Sequence, residues 1–295
     1  MENLYYVEPQ NLPERLYHYT SIDGIEGILK ERALWATQIH FLNDTQEFKY
    51  SLGILRKVLG DLIKEYQKIP PCAISNSKEA LAYLYNTIMD MILIQSNDKF
   101  RIFVFSFSKR DLLSQWRGYC PPGGGYSIGF RSDLLIKLLG DFPYKLTIES
   151  CIYDEKRQEA KIKLLLDKTS ETYIAHWSES PNQIEKARIT NLVTFFQDFS
   201  QLAATLKHPA FHEECEWRIV SNLIPIESVL FRKRKSILLP YLPIYFKDTD
   251  FFPIDEIVIG PSPEQELARL SLNEFLTKNN INVSINTSLT PYREF

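Results

Sequence analysis

Residues 211–220 read "FHEECEWRIV", an acidic cluster set against an apolar run. If 214–220 is extended, the side-chain period of two puts Glu214, Glu216, Arg218 and Val220 on one face and Cys215, Trp217 and Ile219 on the other. Two carboxylates on one strand face are the residue types for proton transfer and for holding a polar ligand. The same spacing also fits an edge strand with solvated acids and a Glu216–Arg218 pairing, since charges on an edge discourage aggregation.

Two further stretches carry reactive types. In "YHYTS" (17–21), His18 precedes a helix start, where backbone N–H groups favour a phosphate or pyrophosphate; a buried histidine bonded to a neighbouring carbonyl has the same pattern. In "FSFSKRDLLSQWRGYCPPGGGYSIGF" (105–130), Ser106 and Ser108 share a strand face, and Trp116, Arg117 and Tyr119 follow on a short helix. Trp116 and Tyr119 can stack on a planar ring or fill a core. Gly123–Gly125 lack the Lys and Ser/Thr of a phosphate loop and fit a hairpin connection. His208 and His212 are four apart, but Pro209 breaks the turn that would align them, so no metal is expected. "FRKRK" (231–235) reads as a solvated basic loop, and no Gly-x-Ser-x-Gly elbow occurs.

The elements that must position these residues follow from periodicity. In "TSIDGIEGILKER", Ile22, Ile25, Ile28 and Leu29 recur at helical spacing, and Thr20 with Asp23 has the spacing of a capping box. Helices are expected over 45–68, 77–96, 155–177 and 182–206. "RIFVFSFSK" (101–109) alternates strictly, Phe103, Phe105 and Phe107 against Ile102, Val104, Ser106 and Ser108. "GYSIGF", "YKLTIESCIY", "CEWRIVSNL" and "SILLPYLPIYF" read as strands, and the C-terminal part as strand, turn, helix, strand. The pattern is α+β with clustered strands, not a doubly wound nucleotide-binding sheet. One domain over 1–295 is expected, with helical insertions at about 45–96 and 155–206.

With 295 residues, 44% hydrophobic, and a net charge of -3, the chain can bury a large core and carries no overall basic field that would mark a nucleic-acid or membrane binder. Four scattered cysteines, no secretory pattern in "MENLYYVEPQ" and no run of about 20 apolar residues point to a cytoplasmic protein with free thiols and no membrane association.

"LYHYTSIDGIEGILKERALWATQIHFLNDTQEF", "FSFSKRDLLSQWRGYC", "GYSIGF", "ECEWRIV" and "IVIGPSP" with "SLTPYR" together resemble bacterial domain-of-unknown-function family 2971. More distantly, His-Tyr-Thr before a helix resembles the start of ADP-ribosyltransferases, including the DNA-targeting toxin DarT. That likeness implies a split mixed β-sheet with helices, NAD as the substrate bound, and a macromolecular acceptor, with nucleic acid considered. It also implies a toxin or antiviral phage-defence role, with a neutralising partner to be looked for. Residue by residue it implies Glu216 and Glu214 as catalytic and His18, Tyr19, Thr20, Ser106, Ser108 and Tyr126 as NAD-binding. Trp116, Arg117, Tyr119 and Arg218 would be substrate or phosphate contacts. In that scheme Glu216 faces an oxocarbenium-like ribose, Ser106 or Ser108 braces it, and Glu214 orients or deprotonates the acceptor. The chain departs from the pattern in Phe107, which separates the serines, and in its long helical stretches; Tyr126 stands in for a second nicotinamide-stacking Tyr. Three other readings fit the same residues: an NAD glycohydrolase, a non-enzymatic ligand-sensing or interaction module, and a metal-independent nuclease built on Arg117, Glu214, Glu216 and Arg218.

Overall fold

A computed structural model describes residues 12–42, 46–68, 76–94, 101–120, 124–177, 181–234 and 236–290. The chain divides into two compact units. One comprises Met1–Gln38, Phe103–Cys151 and Phe211–Phe295; the other comprises Ile39–Ile102 and Ile152–Ala210.

The first unit holds every strand found among the described residues. Its elements are β1 (Arg15–Thr20), α1 (Ile22–Glu31), β2 (Ala33–Gln38), β3 (Phe103–Phe107), α4 (Leu113–Tyr119), β4 (Tyr126–Arg131), α5 (Ser132–Gly140), β5 (Leu146–Ser150), β6 (Trp217–Ser221), β7 (Leu230–Arg234), β8 (Ile237–Tyr245), β9 (Ile254–Ile259), α8 (Gln265–Lys278) and β10 (Ser284–Thr287). The second unit holds α2 (Gln46–Gln67), α3 (Asn76–Ile94), α6 (Glu155–Trp177) and α7 (Pro181–Ala203), the stretches expected as helical insertions. Among the described residues no helix is long and apolar enough to cross a membrane.

The fold is mixed α+β with two multi-stranded sheets. The four-stranded sheet runs β1-β4-β9-β10, antiparallel except for the parallel β9–β10 pair. The six-stranded sheet runs β5-β6-β3-β2-β8-β7 and is antiparallel throughout. Alternation in β3 does what the sequence requires. Phe103, Phe105 and Phe107 enter the apolar cluster with Leu34, Ile219, Leu242 and Ile244, each buried ring contributing roughly 1.5–3 kcal/mol.

One bridge ties the two sheets. Tyr17 and Ser108 exchange both backbone hydrogen bonds, 3.0 Å from Tyr17 N–H and 2.7 Å from Ser108 N–H. The strand that carries His18 is thereby stitched to the end of β3, whose other edge pairs with β6.

Two local expectations change. The N-cap of α1 is Ser21, whose hydroxyl accepts from the Gly24 N–H at 3.3 Å, not Thr20. A Cβ on Gly24 would lie 1.9 Å from Thr20 Oγ1, so the sequence has Gly where β1 and the first turn of α1 come closest. "FRKR" is not a loop but the edge strand β7.

Candidate functional site

β6 begins at Trp217, not Glu214. Glu214 ends a 3-10 helix, Pro209–Glu214, and Cys215 has a left-handed φ of 45°. The kink at Cys215 cancels simple alternation between the two acids. Glu216 is nevertheless in register to continue the strand, since Cys151 N–H donates to its carbonyl at 2.9 Å.

Glu216 and Arg218 form a buried fork, Nε to Oε1 at 2.8 Å and a terminal guanidinium nitrogen to Oε2 at 2.9 Å, with side chains only 5% and 3% exposed. The Cys151 thiol lies 3.8 Å from Oε2 and points its weak donor there. Directly opposite Arg218 in the register stand Ser106 on one side and Glu149, itself buried, on the other. The polar pattern of "EWR" therefore faces a stripe of polar partners on the side of the sheet away from the phenyl rings.

His18 and the 214–216 segment meet the same short stretch of chain. The His18 ring nitrogen Nδ1 lies 2.9 Å from the Ser106 carbonyl, and the Ser108 hydroxyl donates to the Glu214 carbonyl. Neither serine side chain is drawn to the Glu216 carboxylate in these bonds, unlike the bracing expected of one of them. The His18 ring also packs on Phe105 at 4.2 Å between centroids. Burial pushes its pKa down to about 4, the Ser106 carbonyl opposing and the Arg232 charge adding to the shift. At neutral pH the imidazole is uncharged. Because a carbonyl can only accept, Nδ1 carries the proton and Nε2 is the acceptor. Such a histidine suits a hydroxyl of a ligand better than a phosphate.

The remaining predicted residues have different surroundings. Tyr19 is buried, its hydroxyl donating to the Lys109 carbonyl at 2.7 Å and accepting from the Leu112 N–H at 2.8 Å. Burial pushes it up to about 12. Trp116 is buried edge-on against Tyr19, with its indole N–H on Asp111 at 2.9 Å, while Arg117 and Tyr119 occupy the exposed side of α4. Trp116 and Tyr119 thus do not form one stacking surface. Tyr126 belongs to the apolar core. Thr20 accepts a weak bond from Cys120 through its carbonyl, and burial pushes the Cys120 thiol up to about 12. Gly123 lies outside the described residues; at Gly125 a Cβ would lie 2.4 Å from Cys120 Sγ, so this glycine serves close packing. Among the described residues no group of three or more His, Cys, Asp or Glu side chains could hold a metal.

Three polar centres were missed by sequence reasoning. Glu256, on central strand β9, accepts from Tyr17 at 2.7 Å, Asn286 at 2.7 Å and Arg110 at 2.8 Å. Its pKa is lowered by the Arg110 and Tyr17 hydrogen bonds, although its partial burial, the largest single effect, opposes them. An acid inside the apolar run "IDEIVIG" was the available signal. Asp111, with a φ of 53°, accepts from Trp116, Ser288, the Leu289 N–H and Thr290, fastening the 108–120 segment to the C-terminal strand end. The third is Arg232, half-buried over the rings of Trp35 at 5.2 Å and Tyr241 at 5.7 Å and donating to Thr37 Oγ1 at 3.1 Å.

Residues 115–219 match the model of a family described as "Protein of unknown function (DUF2971)". The match runs from α4 through β6 and supports the resemblance read from the motifs. Comparison with curated proteins and with solved structures gave no match.

Proposed function

We propose that the protein is an NAD-consuming transferase of the ADP-ribosyltransferase type, moving ADP-ribose to a macromolecule, with nucleic acid one candidate acceptor, as a toxin or defence effector. The observation that carries this reading is the convergence of His18 and the Glu214–Glu216 segment on Ser106–Ser108, in the strand order that the resemblance requires. In the proposed reaction the bond between nicotinamide and ribose C1′ breaks, its electron pair leaving with neutral nicotinamide. The anionic Glu216, fixed by Arg218, faces the positive charge that develops on the ribose. The acceptor then bonds to C1′ and gives up its proton, with Glu214 as the nearby base. His18 Nε2 accepts from a ribose hydroxyl.

The test is nicotinamide release from NAD by wild type and Glu216→Gln, with DNA, RNA or cell lysate in parallel. Release that depends on Glu216 and labels a macromolecule supports the transferase. Release yielding only free ADP-ribose converts the reading to a glycohydrolase, and no release in any sample overturns it. A second reading is favoured by the buried Glu216–Arg218 fork itself: a ligand-sensing module in which that pair is structural. It requires Glu216→Gln to lose stability and to have no NAD turnover to lose.

A further inference from the structure

Arg232 is an unusual cation for an edge strand. An ordinary arginine on β7 would reach outward into water. This one leans inward over β8 to a hydroxyl on β2, a span of two strand spacings, or about 10 Å. Trp35 and Tyr241 lie beneath its guanidinium, and burial pushes its pKa down from the usual arginine value, although it stays charged at any working pH. Its side-chain partners are Thr37 and the two rings, and among the described residues no carboxylate pairs with it. A desolvated guanidinium without a counter-charge is costly unless an anion completes it.

Its position gives the anion a context. Thr37 pairs with Val104, two residues along β3 from Ser106, whose carbonyl holds His18. The Arg232 charge is close enough to act on the His18 ring. The sheet face of Thr37 therefore offers a fixed cation over two aromatic rings, and the neutral hydroxyl acceptor His18 is held at the Ser106 carbonyl of β3, within reach of that charge.

We infer that Arg232, held by Trp35, Tyr241 and Thr37, is the phosphate-binding residue for a nucleotide diphosphate whose ribose hydroxyl is taken by His18. This rests on the proposed NAD reading, and it names the residue that would grip the pyrophosphate of that substrate. A diphosphate fits better than a nucleic-acid backbone because the Arg232 guanidinium is inward-facing and the chain's net charge is -3.

Calorimetric titration of the full chain with adenosine diphosphate, adenosine and inorganic pyrophosphate tests it, with Arg232→Gln and Arg232→Lys alongside. Wild type is expected to bind adenosine diphosphate at least about tenfold more tightly than adenosine. Arg232→Gln should weaken the diphosphate by about 10- to 100-fold and leave adenosine unchanged, with Arg232→Lys between the two. Equal affinity of wild type for the diphosphate and adenosine, no binding of either, or unchanged diphosphate affinity in Arg232→Gln would overturn it. So would an Arg232-dependent oligonucleotide complex that adenosine diphosphate does not displace. If Arg232→Gln fails to fold, the wild-type comparison and Arg232→Lys still decide. Diphosphate binding through Arg232 without nicotinamide release would sink the transferase reading alone; Glu216-dependent release with Arg232-independent binding would sink this inference alone.

Discussion

Replacing Glu216 by Gln should cost about 3 kcal/mol of folding stability. The carboxylate is 5% exposed and takes two charge-assisted bonds from a guanidinium that is 3% exposed. Removing one partner of a buried pair typically costs roughly 3–5 kcal/mol, because the survivor keeps its desolvation penalty without compensation. Glu149, directly opposite Arg218 in the β5–β6 register, offers a second negative charge and sets the expectation at the lower end. The loss is a large share of the roughly 5–15 kcal/mol typical of a folded domain. Urea unfolding followed by tryptophan fluorescence reads it directly, since Trp217 lies between the two residues. A single variant within about 0.5 kcal/mol of wild type would refute the account of a desolvated pair. Catalytic comparisons of Glu216→Gln accordingly belong at temperatures where the variant remains folded.

Two other outcomes follow from named geometry. His18 has a folded pKa of about 4, below its ordinary value of 6.5, so the unfolded chain takes up the proton first. Stability attributable to this site is complete above pH 6.5, falls as pH drops towards 4, and then levels; the difference between wild type and His18→Gln should change by about 3 kcal/mol over that window, and parallel curves would contradict it. A Cβ on Gly27 would lie 2.4 Å from the Trp35 ring, so Gly27→Ala should displace that ring and weaken binding of adenosine diphosphate severalfold. Gly53→Ala, where nothing lies within 4 Å, is the control and should gain roughly 0.5–1 kcal/mol; equal effects of both on binding would remove Trp35 from the phosphate site.

Much of the fold was legible because local patterns and tertiary burial agree. Phenylalanines at every second position of β3 face the core, and the isoleucines of α1 include the buried Ile25 and Ile28. What was not legible depends on neighbours far away in sequence. Nothing in "YHYT" states that His18 meets the Ser106 carbonyl, which requires β1 to cross from one sheet to the end of another. The kink at Cys215 places a non-glycine residue at positive φ, a choice no propensity announces. Charge patterning misled at "FRKR", where the alternation of a strand was hidden by a basic run. Trp116 and Tyr119 were legible as neighbours on a helix, but one turns into the core and the other away from it.

The register of β2 has a consequence for how the chain comes off the ribosome. Ala36 is paired with Leu242, so β2 emerges about 200 residues before its partner on β8. At a synthesis rate of about 5–20 residues per second, that strand waits on the order of 10–40 s with one edge open. The intervening chain contains the four long helices of the second unit, whose hydrogen bonds are local and form without waiting. Assembly of the polar sheet face therefore waits for β7 and β8: Arg232 and Tyr241 arrive about 200 residues after Thr37, and a product truncated before β7 would carry His18 and Glu216 but no Arg232.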